Sequence, residues 1–321
     1  MGNIHLLPHT AFSLSRWDAF IAASPQRMVY AYSWYLEVVS PQWQALVLEE
    51  EGIWKAIMPL PVQKKWGLNV VQQPFYCQFL GIFTTSSVEL TSVQTAFLEA
   101  LSTHFRYVSS YSGRFLGEQL PPQFERQRCC THLFPLDTPY PTLRQRYSPD
   151  RRMNLRRAQN FGWELQESRE IAPLIQLFQE NHAANIQGGV AETAYKLLRK
   201  VEEALRQQNA ARIVYALKDG KIEAGALFAV HDQRIIYLFN AASPVGRKGN
   251  ARTLLIDQLI QTYASSGYIF DFESPEKASI ASFYASFGAQ PEQYSVLHYN
   301  NLPFPLKQIQ AYRRRKASPL V

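Results

Sequence analysis

Cysteine is scarce in this chain. Three thiols in 321 residues, an odd number with Cys129 and Cys130 adjacent, do not build a disulfide framework. The lone Cys77 and seven scattered histidines fall at no metal-ligand spacing, so no metal is expected. Long apolar runs are also missing. Nothing approaches the ~18 uninterrupted residues that would indicate a membrane span. The opening Met-Gly-Asn-Ile-His-Leu-Leu-Pro has no basic region followed by a long apolar segment, as a signal peptide would. These absences point to a reducing cytoplasm. Charged residues make up only 18% against 46% hydrophobic, which excludes a disordered chain and leaves ample core. The net charge of +7 is a modest bias toward anionic partners.

At this length two domains are expected, and the turn chemistry indicates where they meet. Helical spacing covers 15–23 and 30–39, and a hairpin follows across Glu51-Gly52. The second strand of that hairpin carries Pro59 and Pro61, which cannot donate ladder hydrogen bonds, so it reads as an edge or distorted strand. A strand at 77–83, a helix at 88–105 and strands at 106–110 and 125–134 complete the first half. The proline-rich run 135–141 marks the junction, with 138–147 as linker. Ser148-Pro149-Asp150 then has helix-opening chemistry: a capping hydroxyl, proline in the first turn, and an acid near the positive end of the dipole. Domains at 1–137 and 148–302 and a basic tail at 303–321 follow. The two halves share an order of helices, hairpin, loop, long helix and strand, which reads as an internal structural repeat.

The second half is organised around 211–299, and its candidate sites lie there. The loop 246–251 follows a strand and precedes a helix, a place where backbone N–H groups converge on an anion. Gly246 and Gly249 would allow close approach, and Arg247 and Lys248 add charge; a solvated basic turn fits the same residues. Asp271 and Glu273, two apart at the end of a short strand, share a face, with Phe270 and Phe272 on the other. Carboxylates at that end of a strand can accept a proton from an amine or hold an ammonium group. Glu273 would equally stabilise the start of the helix opened by Ser274-Pro275-Glu276. Tyr284 lies beside the stripe Ile280, Phe283 and Phe287, where its hydroxyl can reach a cleft. Arginines at 151, 152, 156 and 157 form either a solvated face or a surface for a polyanion. They carry no interleaved aromatics or nucleic-acid signature, so DNA is not an expected partner.

These residues resemble the Gcn5-related N-acetyltransferase (GNAT) fold, and more closely its tandem form in the FemAB-like family of peptidoglycan-bridge aminoacyltransferases. Gly246-Arg-Lys-Gly249-Asn-Ala251 is similar to the family's pyrophosphate loop, Gln/Arg-x-x-Gly-x-Gly/Ala, with Gly246 where Gln or Arg is usual. Tyr284-Ala-Ser-Phe-Gly288 resembles its Tyr-x-x-x-Gly-Phe helix, with Ala289 in place of the phenylalanine. The segment from Phe270-Asp-Phe272 to Phe283-Tyr-Ala-Ser-Phe-Gly-Ala289, and Arg151-Arg-Met-Asn-Leu-Arg-Arg-Ala158, look like FemAB-type sequences. The resemblance covers 148–299 most specifically. In the first half it rests on Trp34-Tyr-Leu36, Met58-Pro-Leu-Pro61 and Gln73-Pro74 with Leu80-Gly-Ile-Phe83.

The resemblance implies an α/β (α+β) protein of two GNAT-like domains, each a mixed twisted sheet flanked by helices, with the active cleft in the second. It implies an N-acyltransferase moving an acyl group from an acyl-CoA-type donor to a small-molecule or peptide amine. Tyr284 would protonate the leaving group and Asp271 or Glu273 would take the amine proton. Asn240 and Ala241, where the strand should bulge, together with Gly246, Arg247, Lys248, Gly249, Asn250 and Ala251, would bind the donor. Arg152 and Arg156 would contact the substrate. Two alternatives stay open: a Fem-type aminoacyltransferase fed by charged tRNA and extending a cell-wall precursor, and a non-catalytic binding module.

Overall fold

The computed structural model describes residues 3–114, 120–186, 188–273 and 277–317. The chain gathers into two compact units, one of Met1–Cys129 with Tyr294–Val321 and one of Cys130–Gln293. In chain order the first contains β1 (Asn3–Pro8), α1 (Leu14–Ala23), α2 (Ser33–Val39), β2 (Gln44–Glu50), β3 (Ile53–Leu60), β4 (Val62–Lys65), β5 (Leu68–Gln72), β6 (Phe83–Thr84), α3 (Leu90–His104) and β7 (Tyr107–Gly113). Then follow β8 (Glu125–Pro135), α4 (Tyr140–Gln145), α5 (Pro149–Asn160), β9 (Glu164–Ser168), α6 (Ala172–Asn181), α7 (Glu192–Gln207), β10 (Ala211–Lys218) and β11 (Lys221–His231). The rest is β12 (Arg234–Ala242), α8 (Pro244–Lys248), α9 (Ala251–Thr262), β13 (Ile269–Asp271), α10 (Ala278–Ala285), β14 (Gln290–Asn300) and α11 (Leu306–Ala317).

The first unit holds the antiparallel run β1-β2-β3-β6. Pro59 is accommodated because β6 pairs β3 only at Ala56 and Ile57, short of the proline. The strand expected over 77–83 shrinks to β6 and one bridge, Leu80 to Gly113. Gly81 has φ +116, which breaks the strand, and the Gln73 side-chain amide donates to the Cys77 carbonyl at 2.8 Å. The final strand, expected within the second domain, groups with the first unit from Tyr294 onward. There β14 pairs antiparallel with β7, and Tyr294 and Tyr299 pack on Phe79 and Phe124 at 5.6 and 5.3 Å. The basic tail carries the helix α11.

In the second unit the strand order is β8-β13-β12-β11-β10-β9. Strands β9 to β12 are antiparallel, β12 and β13 are parallel, and β13 is antiparallel to β8. Helix α9 lies against this sheet because Ala251, Leu255, Ile256, Leu259 and Ile260 fall on one helical stripe, all buried. Each of these leucine and isoleucine side chains contributes roughly 1.5–3 kcal/mol on burial.

The segment 138–147, expected as a linker, is part of this core. Leu143 and Tyr147 are buried, and the Tyr140 and Tyr147 hydroxyls donate to the buried Asp257 carboxylate at 2.9 Å each. Burial raises the Asp257 carboxyl above its ordinary value, against the opposite pull of the two hydroxyls and Arg144. A carboxyl raised in the folded state favours folding at low pH, and its contribution is lost as pH climbs through the raised value. Asp257→Asn is therefore expected to flatten the decline in stability from acid to neutral pH, measured by urea unfolding across that range. A variant whose stability profile runs parallel to the wild type would contradict this.

Candidate active site

The site begins where a ladder stops. Strand β13 pairs β12 only from Arg234↔Ile269 to Ile236↔Asp271, while β12 runs on to Ala242. Leu227 faces Phe239 and Phe228 faces Tyr237, so Leu238 is the extra residue of a bulge in β12. The far half of β12 is thus left without a partner on the β13 side among the described residues. Helix α10 fills part of that space. Its Tyr284 is buried, stacks on Phe272 at 4.8 Å and meets Tyr237 edge-on at 6.1 Å. Burial pushes the Tyr284 hydroxyl up to about 12, with Arg252 lowering it and Glu273 raising it, so it stays protonated well above neutral pH. Among the described residues this hydroxyl makes no hydrogen bond.

The two carboxylates expected to act as bases differ sharply. Asp271 is buried and saturated. One oxygen accepts from Thr131 Oγ1 at 2.9 Å and the Glu273 N–H at 3.0 Å, and the other pairs with Arg234 Nη1 at 2.7 Å. These contacts tie the end of β13 to β8 and β12 and occupy the carboxylate expected to accept a proton. Glu273 is half-buried, has φ +47 and is sensed electrostatically by Tyr284. A non-glycine residue held in the left-handed region is local strain of the kind that clusters at functional sites. The helix opening expected at Ser274-Pro275-Glu276 lies outside the described residues.

The expected phosphate loop is largely a short helix, α8. Gly246 N–H donates to Ser243 Oγ, Arg247 N–H to the Ser243 carbonyl, Gly249 N–H to Val245 and Asn250 N–H to Arg247. These four donors are spent inside the chain. The glycines answer to packing: a Cβ on Gly246 would come within 2.1 Å of the Glu223 carbonyl, and one on Gly249 within 2.4 Å of the Trp163 ring. What remains for a ligand is the start of α9. Asn250 sits there in the left-handed conformation at φ 54 and provides no side-chain cap. The Thr253 N–H donates to the Asn250 carbonyl at 3.0 Å, which leaves the N–H groups of Ala251 and Arg252 without a partner among the described residues. Lys248 is exposed, and Arg247 reaches back to the Ala242 carbonyl at 2.8 Å. Asn240 accepts from Arg252 at 3.3 Å, and Ala241 is buried.

Arg152 donates to the Tyr147 carbonyl at 2.5 Å. With the exposed Arg156 it lines an open groove shared with Tyr140, Pro141, Arg144 and Gln145. Four further residues bear on the site, among them Arg151, which the sequence presents only as part of a basic helix face. Arg151 is buried, donating to Thr253 Oγ1 at 2.6 Å and Ser286 Oγ at 2.9 Å. Arg252 lies over the Phe283 ring. Tyr237 is buried with its hydroxyl unpartnered among the described residues. His182 accepts the Ala242 N–H at 3.1 Å, and burial followed by Arg252 lowers its pKa, favouring the neutral ring. Arginine at 151 with Leu155 and Ala158, and at 252 with Leu255, Ile256 and Leu259, continues an apolar stripe. That spacing was the available signal.

Residues 145–276 match the family described as an acetyltransferase (GNAT) domain, and the match falls inside the second unit. No curated protein matches the chain. Among solved structures the chain is similar to FemX, at TM-score 0.64 and 12% identity, over 93% of this chain and 98% of that one. It is similar to a conserved protein of unknown function from Bacteroides thetaiotaomicron, at TM-score 0.57 and 10% identity, over 94% and 100%. It also resembles a tandem GNAT protein from the clavulanic acid biosynthesis pathway, at TM-score 0.53 and 10% identity, over 94% and 99%. The fold is that of a FemAB-like tandem GNAT protein, with a GNAT acetyltransferase-type second unit. No described helix is long and apolar enough to cross a membrane, and the described residues hold no metal-ligand cluster.

Proposed function

We propose that the second unit is an N-acyltransferase that moves an acyl group from an acyl-CoA-type thioester to the amine of a small molecule or peptide. The observation that carries this is the half of β12 left unpaired on the β13 side, beside a buried tyrosine whose hydroxyl makes no hydrogen bond among the described residues and next to a helix start with no side-chain cap. The residues fit such a donor. The N–H groups of Ala251 and Arg252 at the start of α9, with Arg247 and Lys248 nearby, offer donors and charge to its phosphates. Backbone donors around the Leu238 bulge and on to Asn240 and Ala241 would polarise the carbonyl. The thioester supplies an activated carbonyl and a thiolate leaving group. As the amine nitrogen bonds to the carbonyl carbon and the C–S bond breaks, Glu273 takes the amine proton and Tyr284 gives one to the sulfur. Positioning and exclusion of water do much of the rest.

A second reading, with an aminoacyl-tRNA as donor, draws on the open groove where Arg144, Arg152 and Arg156 converge beside Tyr140. Acyl transfer is tested by incubating the protein with acetyl-CoA and an amine mixture and following free thiol. Thiol release that depends on the amine is expected. Release at the rate of spontaneous hydrolysis with every amine and every acyl-CoA would overturn the thioester reading.

A further inference from the structure

Two guanidinium groups share one aromatic ring in this site. Arg151 lies 4.1 Å and Arg252 5.4 Å from the Phe283 ring centre, and Arg151 also lies 4.8 Å from Phe287. Arg151 is 7% exposed, yet its hydrogen bonds go to the neutral hydroxyls of Thr253 and Ser286. Arg252 bonds only the amide oxygen of Asn240. Among the described residues neither has an ion-pair partner. Buried cations are ordinarily paired, and two like charges held close repel strongly where water is scarce. Burial, followed by the charge of Arg252, lowers the pKa of Arg151 to about 10. The charge of Arg252 is also felt by Tyr237, Tyr284 and His182, so it stands at the centre of the site.

A second, independent feature points to the same place. Tyr237 is 3% exposed and its hydroxyl has no hydrogen-bond partner among the described residues, an arrangement that costs stability unless a ligand completes it. Its ring faces Tyr284, the proposed proton donor. Two unpaired cations and an unpaired buried hydroxyl therefore surround the reacting end, walled by Phe272, Phe283 and Phe287.

We propose that Arg252, backed by Arg151 and Tyr237, is a carboxylate subsite for the acyl acceptor, which makes the acceptor an amine of amino-acid type. The assignment rests on the acyl-transfer reading above. A planar guanidinium presents paired donors that match the two oxygens of a carboxylate. A singly charged carboxylate is less costly to desolvate among phenylalanines than a diphosphate, whose place is the open start of α9. With the carboxylate on Arg252, the amine of the same molecule is directed to Glu273 and Tyr284. Arg252 is then a specificity-determining residue.

The test is calorimetric titration of the full chain with a panel of N-acetyl-L-amino acids and their matched primary amides. Acetyl-CoA and succinyl-CoA are titrated alongside. At least one acid should bind, and its amide roughly 10- to 100-fold more weakly. Arg252→Gln should abolish the difference, Arg252→Lys should keep part of it, and Tyr237→Phe should weaken the acid while raising the melting temperature. If no acid outbinds its amide, the subsite is overturned, and the wild-type comparison decides this whether or not any variant folds. An Arg252-dependent preference for succinyl-CoA without an acid-over-amide preference would move the carboxylate to the donor and overturn the acceptor assignment. Acetyl-CoA binding is scored separately, so failure of the donor reading is distinguishable from failure of the subsite.

Discussion

Tyr284→Phe is expected to lower kcat by roughly 100- to 10,000-fold with little change in KM for the donor, the range associated with removing a general acid. The substitution is unusually clean. The Tyr284 hydroxyl makes no hydrogen bond among the described residues, so its loss strands no partner, while the ring contacts with Phe272 and Tyr237 survive in phenylalanine. Stability should therefore be unchanged. The pH profile offers a second reading. With its hydroxyl held up at about 12, Tyr284 keeps its proton through neutral and mildly alkaline pH, so wild-type turnover should lose no acid component there. Steady-state rates with unchanged thermal melting check the prediction. A variant within a few-fold of wild type would remove Tyr284 from the chemistry and leave leaving-group protonation to water.

Arg234→Met should cost about 3–5 kcal/mol of stability, the usual penalty for breaking a buried ion pair from one side. The pair is tight, at 2.7 Å between Arg234 Nη1 and Asp271 Oδ2, and Asp271 is 2% exposed. Removing the guanidinium leaves that carboxylate with only Thr131 Oγ1 and the Glu273 N–H. Because Arg234↔Ile269 through Ile236↔Asp271 is the whole of the β12–β13 ladder, the penalty falls on the element that seats Glu273 and the approach to α10. Replacing both partners together by apolar residues of similar volume should restore most of the loss, since the desolvation cost of the pair disappears with it. Urea unfolding of the two single variants and the double variant measures this. A single-variant loss below about 1 kcal/mol would mean the pair is solvated and weak.

Much of the architecture was legible because periodicity and cap chemistry act locally. The helix expected after the loop 246–251 is α9, and Ser148-Pro149-Asp150 opens α5, where the Ser148 hydroxyl accepts from the Arg151 N–H at 3.1 Å. The site was less legible, for physical reasons. Gly246 and Gly249 looked like room for a phosphate, but the space they leave is filled by the Glu223 carbonyl and the Trp163 ring, contacts made across long sequence separations. Asp271 looked like a base because its partners, Thr131 and Arg234, lie 140 and 37 residues away and leave no local trace. The prolines of 135–141 looked like a linker, although Tyr140 and Tyr147 are tied to Asp257 more than a hundred residues on. The packing of Arg151 and Arg252 against aromatic rings left no trace for a different reason. A charged residue on an apolar stripe reads as an interruption unless its burial is known.

The central claim, that the second unit takes an acyl-CoA-type donor, is tested most directly by a thermal-shift titration with acetyl-CoA and longer acyl-CoAs, with charged tRNA in parallel. A ligand that binds only the folded state adds roughly 2.7 kcal/mol at ~100 times its dissociation constant. The account predicts a saturable rise in melting temperature with at least one acyl-CoA. A rise with charged tRNA alone, or with neither ligand, would contradict it.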